Sequence, residues 1–146
     1  MLETDRSGHN YSYLATEQNF RFLKDVEKNN LLVPLVGDFA GDKVIRRVGE
    51  YLREHGATVT CFYTSNVEQY LFQTDAWTRF FANVSMMPLD DTSTFVRAYF
   101  SLRFRSRQRF NSPLRSETLL EPIAGLLGAF RTGQIHTYED VIDRSK

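Results

Sequence analysis

The chain has 146 residues, enough for one domain with its own core. Its 18 basic and 18 acidic residues cancel, which excludes a global pull toward nucleic acid or an anionic membrane. One cysteine, Cys61, excludes an internal disulfide and a cysteine-cluster zinc site, and it fits a reducing, cytoplasmic compartment.

Residues 1–15 are polar with isolated tyrosines and read as a loop or an extended lead-in; Met1 to Asn10 carries no apolar signal core. Thr16 predicts the N-cap of a helix running to about Asn29, with Glu17 suiting its dipole and Phe20, Leu23 and Val26 forming a stripe. Asn29-Asn30 stops it. The six residues Leu31–Val36 do not alternate and predict a strand buried on both faces, in which Pro34 removes one ladder donor. They form the longest apolar run, far too short to span a bilayer. Gly37-Asp38-Phe39-Ala40-Gly41 is the turn out of that strand.

A second helix is expected over 42–55, with Val44, Ile45, Val48 and Leu52 at helical spacing and Gly56 as the C′ residue. Thr58–Tyr63 is the second predicted strand, with Cys61 in its middle as a buried, inert thiol. Thr64-Ser65-Asn66 is its turn, and a short helical piece covers Val67–Phe72. Thr74 or Asp75 then caps a helix bearing Trp77, Phe80, Phe81 and Val84. Pro88–Asp91 is a loop, and Thr94–Tyr99 is a third strand, rich in β-branched and aromatic residues. Arg103, Arg105, Arg107 and Arg109 share one face if that segment is extended. They form either an anion patch or a solvated surface, and no RNA-binding or zinc-finger pattern accompanies them. Ser116 begins a helix to about Arg131, ended by Gly133, and Thr137–Ile142 is a last helical turn. The 12 Phe and 7 Tyr point to a bulky core ahead of a stacking surface.

The expected fold is α/β in one domain. A parallel βαβ core covers 16–99, an Arg-rich loop or strand 100–115, and helices 116–146. In open α/β sheets, ligands bind beyond the carboxyl ends of the strands. Gly37, Asp38, Phe39 and Gly41 after the first predicted strand, and Ser65, Asn66, Glu68 and Tyr70 after the second, are therefore the candidate ligand-binding residues. Adjacent strand ends lie about 5 Å apart, which would bring Asp38 near Ser65, Asn66 and Glu68. Two carboxylates in one crevice can divide acid and base roles. The plainer alternatives are that Asp38 caps the following helix, Ser65 and Asn66 bond locally, and Glu68 is solvated. The turn G-D-F-A-G is neither a P-loop nor a dinucleotide fingerprint. His9, His55 and His136 are scattered, so neither a metal site nor a Ser-His-Asp triad is expected.

Three runs carry a resemblance: Tyr13–Phe22 (YLATEQNFRF), Val33–Gly41 (VPLVGDFAG) and Gly56–Leu71 (GATVTCFYTSNVEQYL), with Thr137–Ile142 (TYEDVI) at the tail. They resemble an uncharacterised bacterial family, about twice this long, whose members are similar to class I S-adenosylmethionine-dependent methyltransferases. The resemblance implies a partial Rossmann-like sheet, of which this chain would be the C-terminal half. The family's Gly-rich cofactor loop and the acidic residue after its second strand lie upstream, and neither is in this sequence. S-adenosylmethionine binding is thus implied only together with the missing N-terminal half, and no cofactor for this chain alone. Gly37–Gly41 and Ser65–Tyr70 would stand on the substrate side, with no catalytic residue assigned and no reaction named. Half a sheet leaves an open edge and bare apolar faces. The implied partner is a companion N-terminal half, or a second copy paired through that edge. The alternative is a non-catalytic α/β interaction module for a protein or nucleic-acid partner.

Overall fold

The computed structural model describes residues 4, 7–100 and 116–145. The arginine row Arg103, Arg105, Arg107 and Arg109 lies outside the described residues. The chain forms two compact units, Met1–Val36 and Gly37–Lys146.

In the first unit, α1 spans Glu17–Lys28. Thr16 is extended, and its hydroxyl accepts from the Asn19 amide at 3.1 Å, the predicted cap. Asn29 closes the last turn by donating from Nδ2 to the Asp25 carbonyl, and Asn30 leaves in the left-handed region at φ 54°. Leu31–Val36 departs from expectation: it has no regular secondary structure and is exposed throughout, Val36 fully so. An apolar run becomes a doubly buried strand only where flanking strands and covering helices receive it. Among the described residues, no strand pairs with it.

The second unit contains α2 (Val44–Glu54), β1 (Cys61–Ser65), α3 (Val67–Gln73), α4 (Trp77–Val84), β2 (Thr94–Phe100), β3 (Ser116–Pro122), α5 (Ile123–Arg131) and α6 (Tyr138–Arg144). It is a mixed α/β fold with one three-stranded sheet in the order β1-β2-β3. β1 and β2 are parallel, and β3 runs antiparallel to β2. The parallel crossover therefore joins the second and third predicted strands through α3 and α4, and does not involve Leu31–Val36. β1 begins later than Thr58. Val59 donates its amide to the Pro88 carbonyl, and its carbonyl accepts from the buried Ser93 hydroxyl, so the Pro88–Ser93 loop occupies the lead-in. The helix expected from Ser116 is a strand as far as Pro122. Its apolar spacing is compatible with either element, and the free edge of β2 takes it up residue by residue from Phe100↔Ser116 to Thr94↔Pro122. Pro122, with no amide proton to lose, opens α5.

Helical spacing placed the core correctly on α4, at Phe80, Phe81 and Val84. Phe80, Phe81, Val84, Phe95, Ile123 and Leu126 are fully buried. Phe39, Phe62, Phe80 and Phe95 form one aromatic ladder with centroids 5.6–6.4 Å apart. Trp77 stacks on Phe72 at 4.8 Å and meets the edges of Phe81 and Phe130. These rings line the core, whereas Tyr11, Tyr13, Phe20, Phe22, Tyr51, Tyr63, Tyr70 and Phe100 are exposed.

Among the described residues, the sheet is packed on one face only. Phe95 and Arg97 of β2 are buried, whereas Tyr63, Val96 and Leu120 line up across the three strands on the opposite face. Tyr63 is 63% and Leu120 48% exposed there. Cys61 shares that face and is exposed, not buried, because β1 has one packed side and not two. Among the described residues, no helix is long and apolar enough to cross a membrane.

Candidate functional site

The two predicted polar groups have separate roles. In the Gly37–Gly41 turn, Asp38 is exposed, and its Oδ1 accepts from the Ala40 amide at 2.9 Å while its carbonyl accepts from Gly41. It shapes its own turn, and α2 receives no side-chain cap from it. Gly37 is required sterically, since a Cβ there would run into the Val44 side chain. Phe39 belongs to the aromatic ladder. Asn83 of α4, fully buried, donates to the carbonyls of Phe39 and Gly41 at 3.1 and 2.9 Å and accepts from Arg46 Nε at 2.8 Å. The turn is thereby fixed to α4 and α2.

At the end of β1, Ser65 takes φ 52° where the register with β2 shifts, an irregularity that turns the chain into α3. Asn66 precedes α3 without a side-chain cap bond, and Tyr70 is exposed. Thr74 and Asp75 end α3 and do not cap α4: Thr74 Oγ1 donates back to the Tyr70 carbonyl, and Asp75 has φ 53°. Glu68 is buried. Its two oxygens accept from Arg97 Nε and, at 3.0 Å, from Arg97 Nη2, and Thr64 donates to Oε2 at 3.1 Å. Asp38 thus bonds within its own turn, whereas Glu68 is held by Arg97 and Thr64.

The carboxylate that Glu68 does join is Glu121. Arg97, with no exposed side-chain surface, reaches Glu121 Oε2 through Nη1 at 2.9 Å and Ser145 Oγ at 3.2 Å. Arg144 Nε stands 3.6 Å from Glu121 Oε1. The guanidinium also lies 4.6 Å over the Phe95 ring. β2, β3, α3 and α6 thus meet on four charged side chains. Among the described residues, no buried side-chain nitrogen or oxygen lacks a partner. Arg97 and Glu121 were absent from the sequence-based candidates. Their signal was a charge at an inward position of a strand that is otherwise apolar, and that position is visible only once the strand's face is known.

Burial pushes the Glu121 carboxyl up from its ordinary 4.5, against the pull of Arg97 and Arg144. Burial, with Glu68 nearby, pushes the Tyr138 phenol up to about 12. A carboxyl raised on folding adds stability that is complete below its unfolded pKa and is lost as pH rises through the folded one. The stability of the wild-type chain relative to Glu121→Gln should therefore fall as pH is raised from below 4.5. Urea midpoints measured from pH 4 upward check this, and a difference that grows with pH would contradict it.

Every acid and base of the cluster is committed to a partner, and the arrangement holds strands to helices. Among the described residues, no three His, Cys, Asp or Glu side chains gather as a metal site. No curated protein matches the chain. One family model, described as a domain of unknown function, DUF7790, matches residues 1–119 and so includes Glu68 and Arg97 but not Glu121 or α6. The chain belongs to the DUF7790 family.

Proposed function

We propose that this chain is one half of a methyltransferase-like α/β assembly, acting as its substrate-side wall and not binding S-adenosylmethionine alone. The observation that carries this reading is the sheet of the second unit, three strands with one face exposed among the described residues; the first unit carries its own exposed six-residue apolar run at Leu31–Val36. Exposed apolar surface of this kind calls for a covering partner. A parallel pair followed by an antiparallel strand is also compatible with the later part of a Rossmann-like sheet. The companion would be a chain with a Gly-rich cofactor loop after a strand, or a second copy. Calorimetric titration of the isolated chain with S-adenosylmethionine is expected to give no micromolar binding, and light scattering after size exclusion should give a mass above the 17.0 kDa of one chain. Micromolar binding by the isolated chain would refute the reading.

A second reading, a non-catalytic interaction module, is favoured by Glu68 being tied up in structure. It predicts association with a partner lacking any cofactor site. A monomer that neither self-associates nor binds the cofactor-bearing half would remove the first reading and leave the second.

A further inference from the structure

The carboxy-terminal helix α6 is built differently from the helices it packs near. Its amino end is satisfied locally: Thr137 Oγ1 accepts from the Asp140 amide, and Asp140 Oδ2 accepts from the His136 and Thr137 amides at 2.8 Å each. It therefore needs no group from the rest of the fold to stay helical at that end. Its attachment is one stripe at helical spacing. Tyr138 faces the rings of Phe72 and Tyr99 at 6.0 and 6.4 Å, Val141 is fully buried, and Arg144 and Ser145 reach Glu121 and Arg97. The outward positions Glu139 and Asp143 are exposed.

The surface beneath α6 carries one buried cation, Arg97, against two buried carboxylates, Glu68 and Glu121. Without α6 it has a surplus of one acid at full ionisation. Arg144 supplies the matching charge, and unpaired buried charge is costly. A groove with an aromatic end, an apolar centre and an acidic end is the kind that receives an amphipathic helix through residues at i, i+3 and i+6 or i+7.

We propose that α6 is a displaceable latch, and that the groove it fills is a docking site for an amphipathic helix bearing an aromatic, an aliphatic and an arginine residue at that spacing. In the resting chain the site is closed by its own helix, and a partner helix of the same chemistry competes for it. This inference is independent of the methyltransferase-like reading, because it concerns a groove closed within the second unit.

Hydrogen exchange on the intact wild-type chain tests the opening. The α6 amides are expected to exchange at least tenfold faster than those of α5, by an opening insensitive to low denaturant. Exchange of α6 only with global unfolding would overturn the proposal. A labelled peptide of residues 134–145 tests the groove. It should bind the full-length Arg144→Glu chain, whose own helix is repelled by Glu121, at least tenfold more tightly than it binds wild type. The same peptide carrying Arg144→Glu should not bind. Equal binding of both peptides, or no binding to an Arg144→Glu chain that keeps its far-ultraviolet spectrum, would also overturn it. If that variant fails to fold, excess wild-type peptide added to the wild-type chain should speed α6 exchange, and unchanged rates would decide against the latch.

Discussion

Arg97→Met is expected to lower the stability of the chain by about 3–5 kcal/mol, the range seen when one partner of a buried ion cluster is removed. Methionine fills much of the same volume, so the loss is one of charge compensation more than of packing. Glu68 and Glu121, both almost fully buried, would be left facing each other with only Arg144 beside Glu121. Loss of this size is a large part of the about 5–15 kcal/mol that separates a folded domain from its unfolded chain. It should appear as a marked fall in the urea midpoint. The companion experiment replaces all three charges together, as Glu68→Leu, Arg97→Met and Glu121→Leu. Desolvating three charged groups costs about as much as their mutual attraction returns, so this variant should fall close to wild type or above it. A loss below about 1 kcal/mol in the single variant would mean that water reaches the cluster in solution.

What the sequence made legible was local. The Thr16 cap, the end of α1 at Asn29-Asn30, Gly56 in its left-handed turn at φ 62° and the third strand from Thr94 depend on nearest neighbours and on side-chain period, and each is found in place. Leu31–Val36 was misread because its apolar composition states a need for burial and not its fulfilment. Ser116–Leu120 was misread because a strand needs a partner edge, and that edge belongs to β2, far away in sequence. The candidate site divides in the same way. Asp38 and Glu68 sit after apolar runs, as ligand-binding carboxylates do, yet one bonds its own turn and the other a buried arginine. The identity of that arginine depends on the inward face of β2, which no local pattern encodes. Asn83 is the extreme case: an ordinary helical residue by sequence, whose place beneath the Gly37–Gly41 turn follows from packing alone.

Phe80→Ala should cost about 3–5 kcal/mol, the expected loss for deleting a buried phenylalanine in a core that closes only partly around the cavity. Phe80 is fully buried and meets four rings, those of Phe39, Phe62, Phe81 and Phe95. These rings come from the turn, β1, α4 and β2, so collapse around the gap would need several elements to move at once. The effect should also be directional. Phe39 leans on Phe80, and Asn83, one helical turn further along α4, holds the carbonyls on either side of Ala40. Loosening that part of α4 releases the Gly37–Gly41 turn from both its supports. Amide exchange at Ala40 and Gly41 should therefore quicken more in Phe80→Ala than exchange at Ser93, whose amide is held within its own turn by Asp90. Phe39→Ala, at a half-buried position, should loosen the same turn at a smaller global cost. If both variants speed exchange equally everywhere, the turn has no stability of its own and unfolds only with the domain. If only the turn responds to Phe39→Ala, its conformation is set by the aromatic ladder, and the residues first read as a ligand cradle are a clasp between α2 and α4.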